Sequence, residues 1–165
     1  MATPLNSPAH QLSISNHVGK WIFIAAAAIV LVGALTWVNY HYCVQNPGGN
    51  DFLVHWSGTR TFLTDRISPY SDTAALRIQT IAYGRPALPG EHELRVAYPF
   101  YSAILFAPFA LISDFTLARA AWMTLLEVAL ILLAIFSLRL AKWQPPLALL
   151  AAILIFILIW YFGLR

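Results

Sequence analysis

Ionisable side chains are scarce in this chain, so the few that could do chemistry stand out. Asp51 follows a glycine-rich turn, and His55 lies four residues further along the same predicted helix. A polar side chain at the start of a helix caps its free N–H groups, so the residues alone favour a capping role for Asp51 or Asn50. Glu127 lies inside a long apolar segment, where an ionisable group is costly and either has a function or bonds to a neighbouring helix.

Only a weak combination of residues points to a metal site. His55, His92 and Asp51 could supply ligands, but no fixed spacing links them. The sequence also has no phosphate-binding P-loop, no dinucleotide-binding glycine pattern, no nucleophile elbow and no paired Cys/His spacing. We therefore expect no cofactor, with a divalent metal ion as the alternative.

The composition indicates that lipid is the solvent for much of the chain. Hydrophobic residues make up 59% and charged residues 10% of the 165 residues, and the mean hydropathy is +0.67. Soluble domains carry about 25% charged residues. The net charge of +3 is scattered, without a basic stripe, so membrane lipid is an expected partner and nucleic acid is not.

The single cysteine, Cys43, allows no intrachain disulfide and is expected as a free thiol beside the membrane, where it can report orientation.

The apolar segments predict an all-α, polytopic integral membrane protein with about four transmembrane helices. A polar tail over residues 1–19 is expected to be disordered and cytoplasmic, and residues 20–165 to form the membrane domain. The first apolar segment is too long for a signal-peptide core, so we expect an uncleaved anchor. Trp37, Tyr40 and Trp160 are the expected interface anchors. The predicted spans cover residues 21–40, 99–112 (short, with Pro108 inside), 116–140 and 145–163.

Residues 41–97 are predicted to form an extracytoplasmic loop of short amphipathic helices. The spacing of aromatic and apolar residues indicates helices over 51–65 and 73–82 that lie against the membrane. Four crossings are favoured, although they place Arg139 and Lys142 outside the cell. If residues 99–112 only dip into the membrane and return, both cations are cytoplasmic, as the positive-inside tendency prefers. The expected location is the cell inner (plasma) membrane, with multiple passes.

Several short motifs follow one another from the glycine-rich turn to the long apolar segment after it. In this order they resemble the N-terminal part of the membrane-embedded GT-C glycosyltransferases. They are most similar to the polyprenyl-phosphate-mannose-dependent mannosyltransferases of glycosyltransferase family 87. The resemblance covers residues 48–122, and its motifs are Asp51-Phe52, Trp56, Pro69-Tyr70, Tyr98-Pro99-Phe100, Pro108 and Trp122. The chain departs from that family at Pro99-Phe100, where Pro-Pro is usual, and at Ile67-Ser68, where glycine is common.

The resemblance implies inverting transfer of a hexose, mannose in that family, from a polyprenyl-phosphate donor to a lipid or glycan acceptor. It implies that Asp51 is the general base for the acceptor hydroxyl. A cation should bind the phosphate of the leaving lipid, and Arg95 is the first candidate, followed by Arg60 and Arg66. Each of these arginines could instead face solvent or lipid headgroups. Further candidate site residues are Trp56, Tyr70, Tyr98 and Glu127.

Two other classes of protein remain open at this stage. A small, non-enzymatic scaffold or assembly protein could keep the same layout, and it would not require Asp51 to face a cavity. A transporter fragment should show interrupted helices in two matching halves, and no second half occurs in this sequence. The GT-C enzymes that the chain resembles have many more helices than this chain. The enzyme hypothesis therefore predicts additional transmembrane helices as partners. It also predicts that the chain alone is inactive.

Overall fold

The computed structural model describes the backbone of residues 8–163 and the side chains of residues 18–153, 155 and 156. Over these residues the chain forms six α-helices and no strand, which confirms the all-α prediction. The helices are α1 (Pro8–Gln45), α2 (Asn50–Asp65), α3 (Asp72–Tyr83), α4 (Ser102–Ala110), α5 (Phe115–Leu140) and α6 (Leu147–Gly163). By contacts the chain divides into two units, Met1–Leu125 and Leu126–Arg165.

The helix ends follow from turn residues in the sequence. Gly49 lies in the left-handed region (φ 84°) and precedes α2, and Ser71 caps α3 by accepting a hydrogen bond from the N–H of Ala74. Gly84, also left-handed (φ 72°), ends α3. α1 begins at Pro8, so residues 8–19 of the predicted disordered tail are helical. Residues 1–7 and the side chain of the predicted anchor Trp160 lie outside the described residues.

Within the described part of the chain, two helices are long and apolar enough to cross a membrane, judged by length and composition. They are Val18–Gln45 of α1 and the whole of α5. α6 has 17 residues, the lower limit for a span. α4, in the predicted span 99–112, has nine residues and is only about 14 Å long, less than half of a hydrocarbon core. The four crossings predicted from the sequence are therefore not found, because α4 is too short to cross as a helix.

The first turns of α5 run antiparallel to the last turns of α1. The hydroxyl of Thr124 accepts hydrogen bonds from Thr36 (3.2 Å) and from the side-chain amide of Asn39 (3.1 Å). One turn further along α1, the thiol of Cys43 lies 3.6 Å from the sulfur of Met123. Cys43 is buried, so it is not the accessible reporter of orientation that the sequence suggested.

The two ends of the 46–114 segment lie next to each other. Arg119, in the second turn of α5, donates a hydrogen bond to the carbonyl of Asn46 just after α1 (2.7 Å). Its Nε would lie only 2.8 Å from a Cβ placed on Gly49, so glycine is needed there for contact as well as for conformation. The segment therefore leaves α1 and enters α5 at the same end of this helix pair.

α2 packs on α4 through a cluster of rings centred on Phe52. Phe52 stacks on Trp122 of α5 with ring centroids 5.8 Å apart, and it also contacts Phe106 and Phe109 of α4. This cluster belongs to a hydrophobic core that joins α2, α3, α4 and the start of α5. The buried members of the core are Phe52, Leu53, Val54, Trp56, Ile78, Leu94, Phe106, Ala110 and Ala118.

Side chains of α2 also hold the C-terminal end of α4. The indole N–H of Trp56 lies 3.1 Å from both the carbonyl of Phe109 and that of Ile112. A guanidinium N–H of Arg60 donates to the carbonyl of Ala110 at 2.8 Å. The last carbonyls of a helix lack their usual partners within it, and α2 supplies donors to those of Ala110 and Ile112. The carbonyl of Phe109 also accepts from the N–H of Ile112.

The second unit contains the C-terminal part of α5, a short connection and α6. Lys142 in the connection has a left-handed backbone (φ 52°), and Pro145-Pro146 precede α6. The described side chains of this unit are mostly exposed and apolar, as expected of helices that face lipid.

Candidate functional site

Asp51 lies in the first turn of α2 and is exposed. The cap of α2 is Gly49, with no side-chain hydrogen bond, so the predicted capping role for Asp51 or Asn50 is wrong. A first-turn carboxylate is favoured by the helix dipole. Among the described residues the carboxylate of Asp51 forms no hydrogen bond and no ion pair. It is therefore available to bind or deprotonate a molecule that reaches this end of α2.

His55 lies one turn further along α2, on the same face as Asp51. Its ring is held between two aromatic rings, Tyr98 at 4.0 Å and Phe106 at 4.1 Å between centroids. Burial lowers the pKa of His55, and the negative charge of Asp51 opposes that shift. The imidazole is therefore neutral near pH 7 and adds no positive charge beside the carboxylate.

Close backbone contacts position Tyr98 on His55. Val96 packs on Gly58 of α2, where a Cβ would lie 2.6 Å from its methyl carbon. The hydroxyl of Tyr70 donates to the carbonyl of Tyr98 at 2.7 Å. We call Asp51, His55, Tyr70 and Tyr98 the Asp51 face, because one side of α2 and the two segments against it bring them together.

The three arginines predicted to bind phosphate are not brought to Asp51. Arg60 lies over the ring of Trp56 (5.8 Å) and bonds to the end of α4. Arg95 is exposed and pairs with Asp72 (2.7 Å) and Glu93, which raise the pKa of its guanidinium. Arg66 is the left-handed C-cap of α2 (φ 59°) and is exposed. α2 thus separates the carboxylate at its start from two cations towards its end.

A second feature is an open cleft of about 720 Å³ between α2 and α3. Arg60 and Arg77 line it, and Asp65 forms an ion pair with Arg77 across it. The hydrogen bond from Arg77 is the largest of the effects that lower the pKa of Asp65. The cleft is also rich in hydroxyl groups and does not include Asp51. The hydroxyl residues that line it are Ser57, Thr61, Thr64, Thr73 and Thr80.

The other residues considered from the sequence lie apart from the Asp51 face. Over the described residues no three His, Cys, Asp or Glu side chains are grouped as metal ligands. His92 accepts a hydrogen bond from the N–H of Leu94 (3.0 Å) instead of joining His55. Glu127 lies in α5 and is partly buried.

Arg119 is a structural residue that the sequence analysis missed. It tethers the glycine-rich turn to α5 through the carbonyl of Asn46. The available signal was a cation about one turn from the start of a long apolar helix, close to a turn whose carbonyls need partners.

Comparisons of the chain with protein-family models, with curated proteins and with solved structures found no match. The functional assignment therefore depends on the residues and their geometry.

Replacing His55 by Phe should remove a pH dependence of stability. The lowered pKa favours the neutral ring in the folded protein, so its stabilisation is complete above the ordinary pKa of 6.5 and is lost as pH falls from that value through the lower pKa of the folded protein. Thermal unfolding of the wild type from about pH 8 to about pH 5 should show a falling midpoint, and His55→Phe, which keeps the ring stack, should show a flatter one. Equal slopes for the two proteins would contradict this account of His55.

Proposed function

We propose that this chain is the N-terminal part of a membrane glycosyltransferase with Asp51 as its general base. The enzyme transfers a hexose, with mannose expected, from a polyprenyl-phosphate donor to a lipid or glycan acceptor. The observation that carries the proposal is the exposed Asp51 carboxylate, unpaired among the described residues, on a packed helix directly after the first apolar helix. The order of motifs from Asp51-Phe52 to Trp122 supports the same assignment.

The reaction assigned to this site is a single inverting displacement. Asp51 accepts the proton of the acceptor hydroxyl while that oxygen attacks the anomeric carbon of the donor. The bond from that carbon to the phosphate oxygen breaks, and its electron pair leaves with the polyprenyl phosphate. Burial lowers the pKa of the neighbouring His55, which favours its neutral form beside Asp51.

The phosphate of the leaving group needs a cation, and the geometry changes the order of the candidates. Arg95 pairs with two carboxylates, so little of its charge is left for an anion. Arg60 uses one donor on Ala110, and a guanidinium has further N–H groups. Arg60 and Arg66 are therefore better placed than Arg95 to bind phosphate.

A non-enzymatic scaffold is the second candidate function, and one observation favours it. Trp56, Arg60 and Arg95, all proposed for the site, already form contacts within the chain that hold α4 and the loop before it. In a scaffold these residues would need no ligand, and Asp51 would have no chemical role. The substitution of Asp51 below separates the two functions.

The proposed setting is the plasma membrane, with membrane lipid and further transmembrane helices as partners. α1 and α5 would cross it, and their antiparallel pairing would put residues 46–114 on one side. Lys20 precedes the first apolar segment, and Arg139 and Lys142 lie at the other end of α5. With all three cytoplasmic, the positive-inside tendency is satisfied and residues 46–114 are extracytoplasmic.

Replacing Asp51 by Asn in the complete protein, in its native membranes, should reduce hexose transfer by about 10²–10⁴-fold. The amide keeps the shape of the side chain but cannot accept the proton. Transfer from a radiolabelled polyprenyl-phosphate hexose is the measurement, with protein abundance checked in the same membranes.

Asp72→Asn is the matched control, because Asp72 is also an exposed carboxylate in the first turn of its helix. It should leave transfer nearly unchanged. Wild-type transfer by Asp51→Asn would remove the catalytic assignment and favour the scaffold. Equal losses in both variants would indicate a helix-stability effect instead of lost catalysis.

The orientation can be tested with single cysteines in a Cys43→Ser background. Thr80 is exposed on α3, so Thr80→Cys should react with a membrane-impermeant maleimide in intact cells. Lys142→Cys, beyond the other end of α5, should react only after the membrane is opened. The reverse pattern would show that residues 46–114 face the cytoplasm and would contradict the proposed site of reaction.

A further inference from the structure

α4 is apolar on both of its faces. It contains no charged residue, and Phe106 and Ala110 are buried on the side that packs against α2 and α5. The opposite side carries Tyr101, Ile104 and Leu105, which are 73%, 79% and 55% exposed. Their spacing places them on one stripe of the helix. A helix that is apolar all round is normally buried, so something other than water is expected to cover this stripe.

Protein donors satisfy the C-terminal end of α4. Trp56 and Arg60 supply donors to the carbonyls of Phe109, Ala110 and Ile112. The carbonyl of Phe109 also accepts from the N–H of Ile112 (3.1 Å), so the donors from α2 matter most for Ala110 and Ile112. In hydrocarbon, irregular backbone is tolerated only where protein satisfies it. This end of α4 is therefore compatible with an environment that supplies no water.

The packing of α4 also sets its depth along α5. The rings of Phe106 and Phe109 contact Trp122, with centroids 4.8 and 5.3 Å apart. Trp122 is two turns into α5, about 10 Å from the first residue of that helix. α4 therefore lies beside the beginning of an apolar helix, not beside its middle.

Exposed aromatic residues on α1 lie within two turns of the same level. Cys43 contacts Met123, the neighbour of Trp122, so the end of α1 lies level with this part of α5. One to two turns back along α1, Tyr40 and Trp37 are exposed. Exposed aromatic side chains of this kind collect at the boundary between headgroups and acyl chains.

We propose that α4 inserts into one leaflet of the bilayer as a monotopic helix, with its stripe of Tyr101, Ile104 and Leu105 against lipid. The partner is lipid at the boundary between headgroups and acyl chains, on the side of residues 46–114. α4 enters and leaves on that side, because the segment that contains it begins and ends beside Arg119. Lipid fits better than another protein surface, because α4 packs on a part of α5 that lies within two turns of the exposed aromatics of α1. This inference does not depend on glycosyl transfer.

Depth-dependent quenching of a fluorescent label tests the insertion. Ile104→Cys in a Cys43→Ser background, in the complete protein in lipid nanodiscs, carries an environment-sensitive fluorophore. Nitroxide lipids labelled near the headgroup should cause a large loss of fluorescence, and lipids labelled at the chain end a smaller one. Aqueous iodide should cause little loss. Thr80→Cys, exposed on α3, is the matched control and should show the opposite pattern.

Three results would overturn the proposal. Strong quenching by iodide at position 104 would place the stripe in water. Strongest quenching by the chain-end nitroxide would place α4 near the bilayer centre, as a crossing segment would be. Protection from both lipid and aqueous quenchers would show that a second copy or another helix covers the stripe. Leu105→Cys, on the same stripe, checks that the Ile104 result does not come from local misfolding.

Discussion

The rest of the described structure depends on one contact between α1 and α5, which is made at the hydroxyl of Thr124. It accepts hydrogen bonds from Thr36 and Asn39, and so fixes α5 antiparallel to the end of α1. Polar contacts of this kind associate helices in a medium where apolar surfaces have no preference for each other. Because α5 returns along α1, residues 46–114 are confined to one end of the pair, and the Asp51 face is confined with them.

Helix α2 holds α4 with one side and carries Asp51 on the other. One side, with Trp56 and Arg60, holds the end of α4 and lines the cleft towards α3. The other side presents Asp51 and places the ring of His55 between two aromatic rings. The proposed base is thus on a rigid helix, while the cations proposed for phosphate lie towards the end of the same helix. A donor would have to extend along α2, or further helices would have to complete the phosphate site.

The sequence predicted correctly the helices whose ends are set by residues next to them in the chain. Glycines before α2 and a serine before α3 mark their starts, so both helices were found within a residue or two of their observed limits. α4 was predicted as a short span, because hydropathy measures a run of apolar residues but not where its backbone hydrogen bonds end. The donors that end α4 come from Trp56 and Arg60, about fifty residues earlier, and no local pattern reveals them. The burial of Cys43 against Met123 is similarly a contact between distant segments.

The register of α1 against α5 positions the 46–114 segment, and disulfide cross-linking can measure it. The hydroxyl oxygens of Thr36 and Thr124 lie 3.2 Å apart, so cysteines at these two positions face each other across the helix pair. In native membranes and a Cys43→Ser background, Thr36→Cys with Thr124→Cys should cross-link rapidly under mild oxidation. Thr36→Cys with Thr116→Cys, two turns away along α5, should not. No cross-link at Thr124, or a faster one at Thr116, would contradict the antiparallel pairing that positions every feature described above.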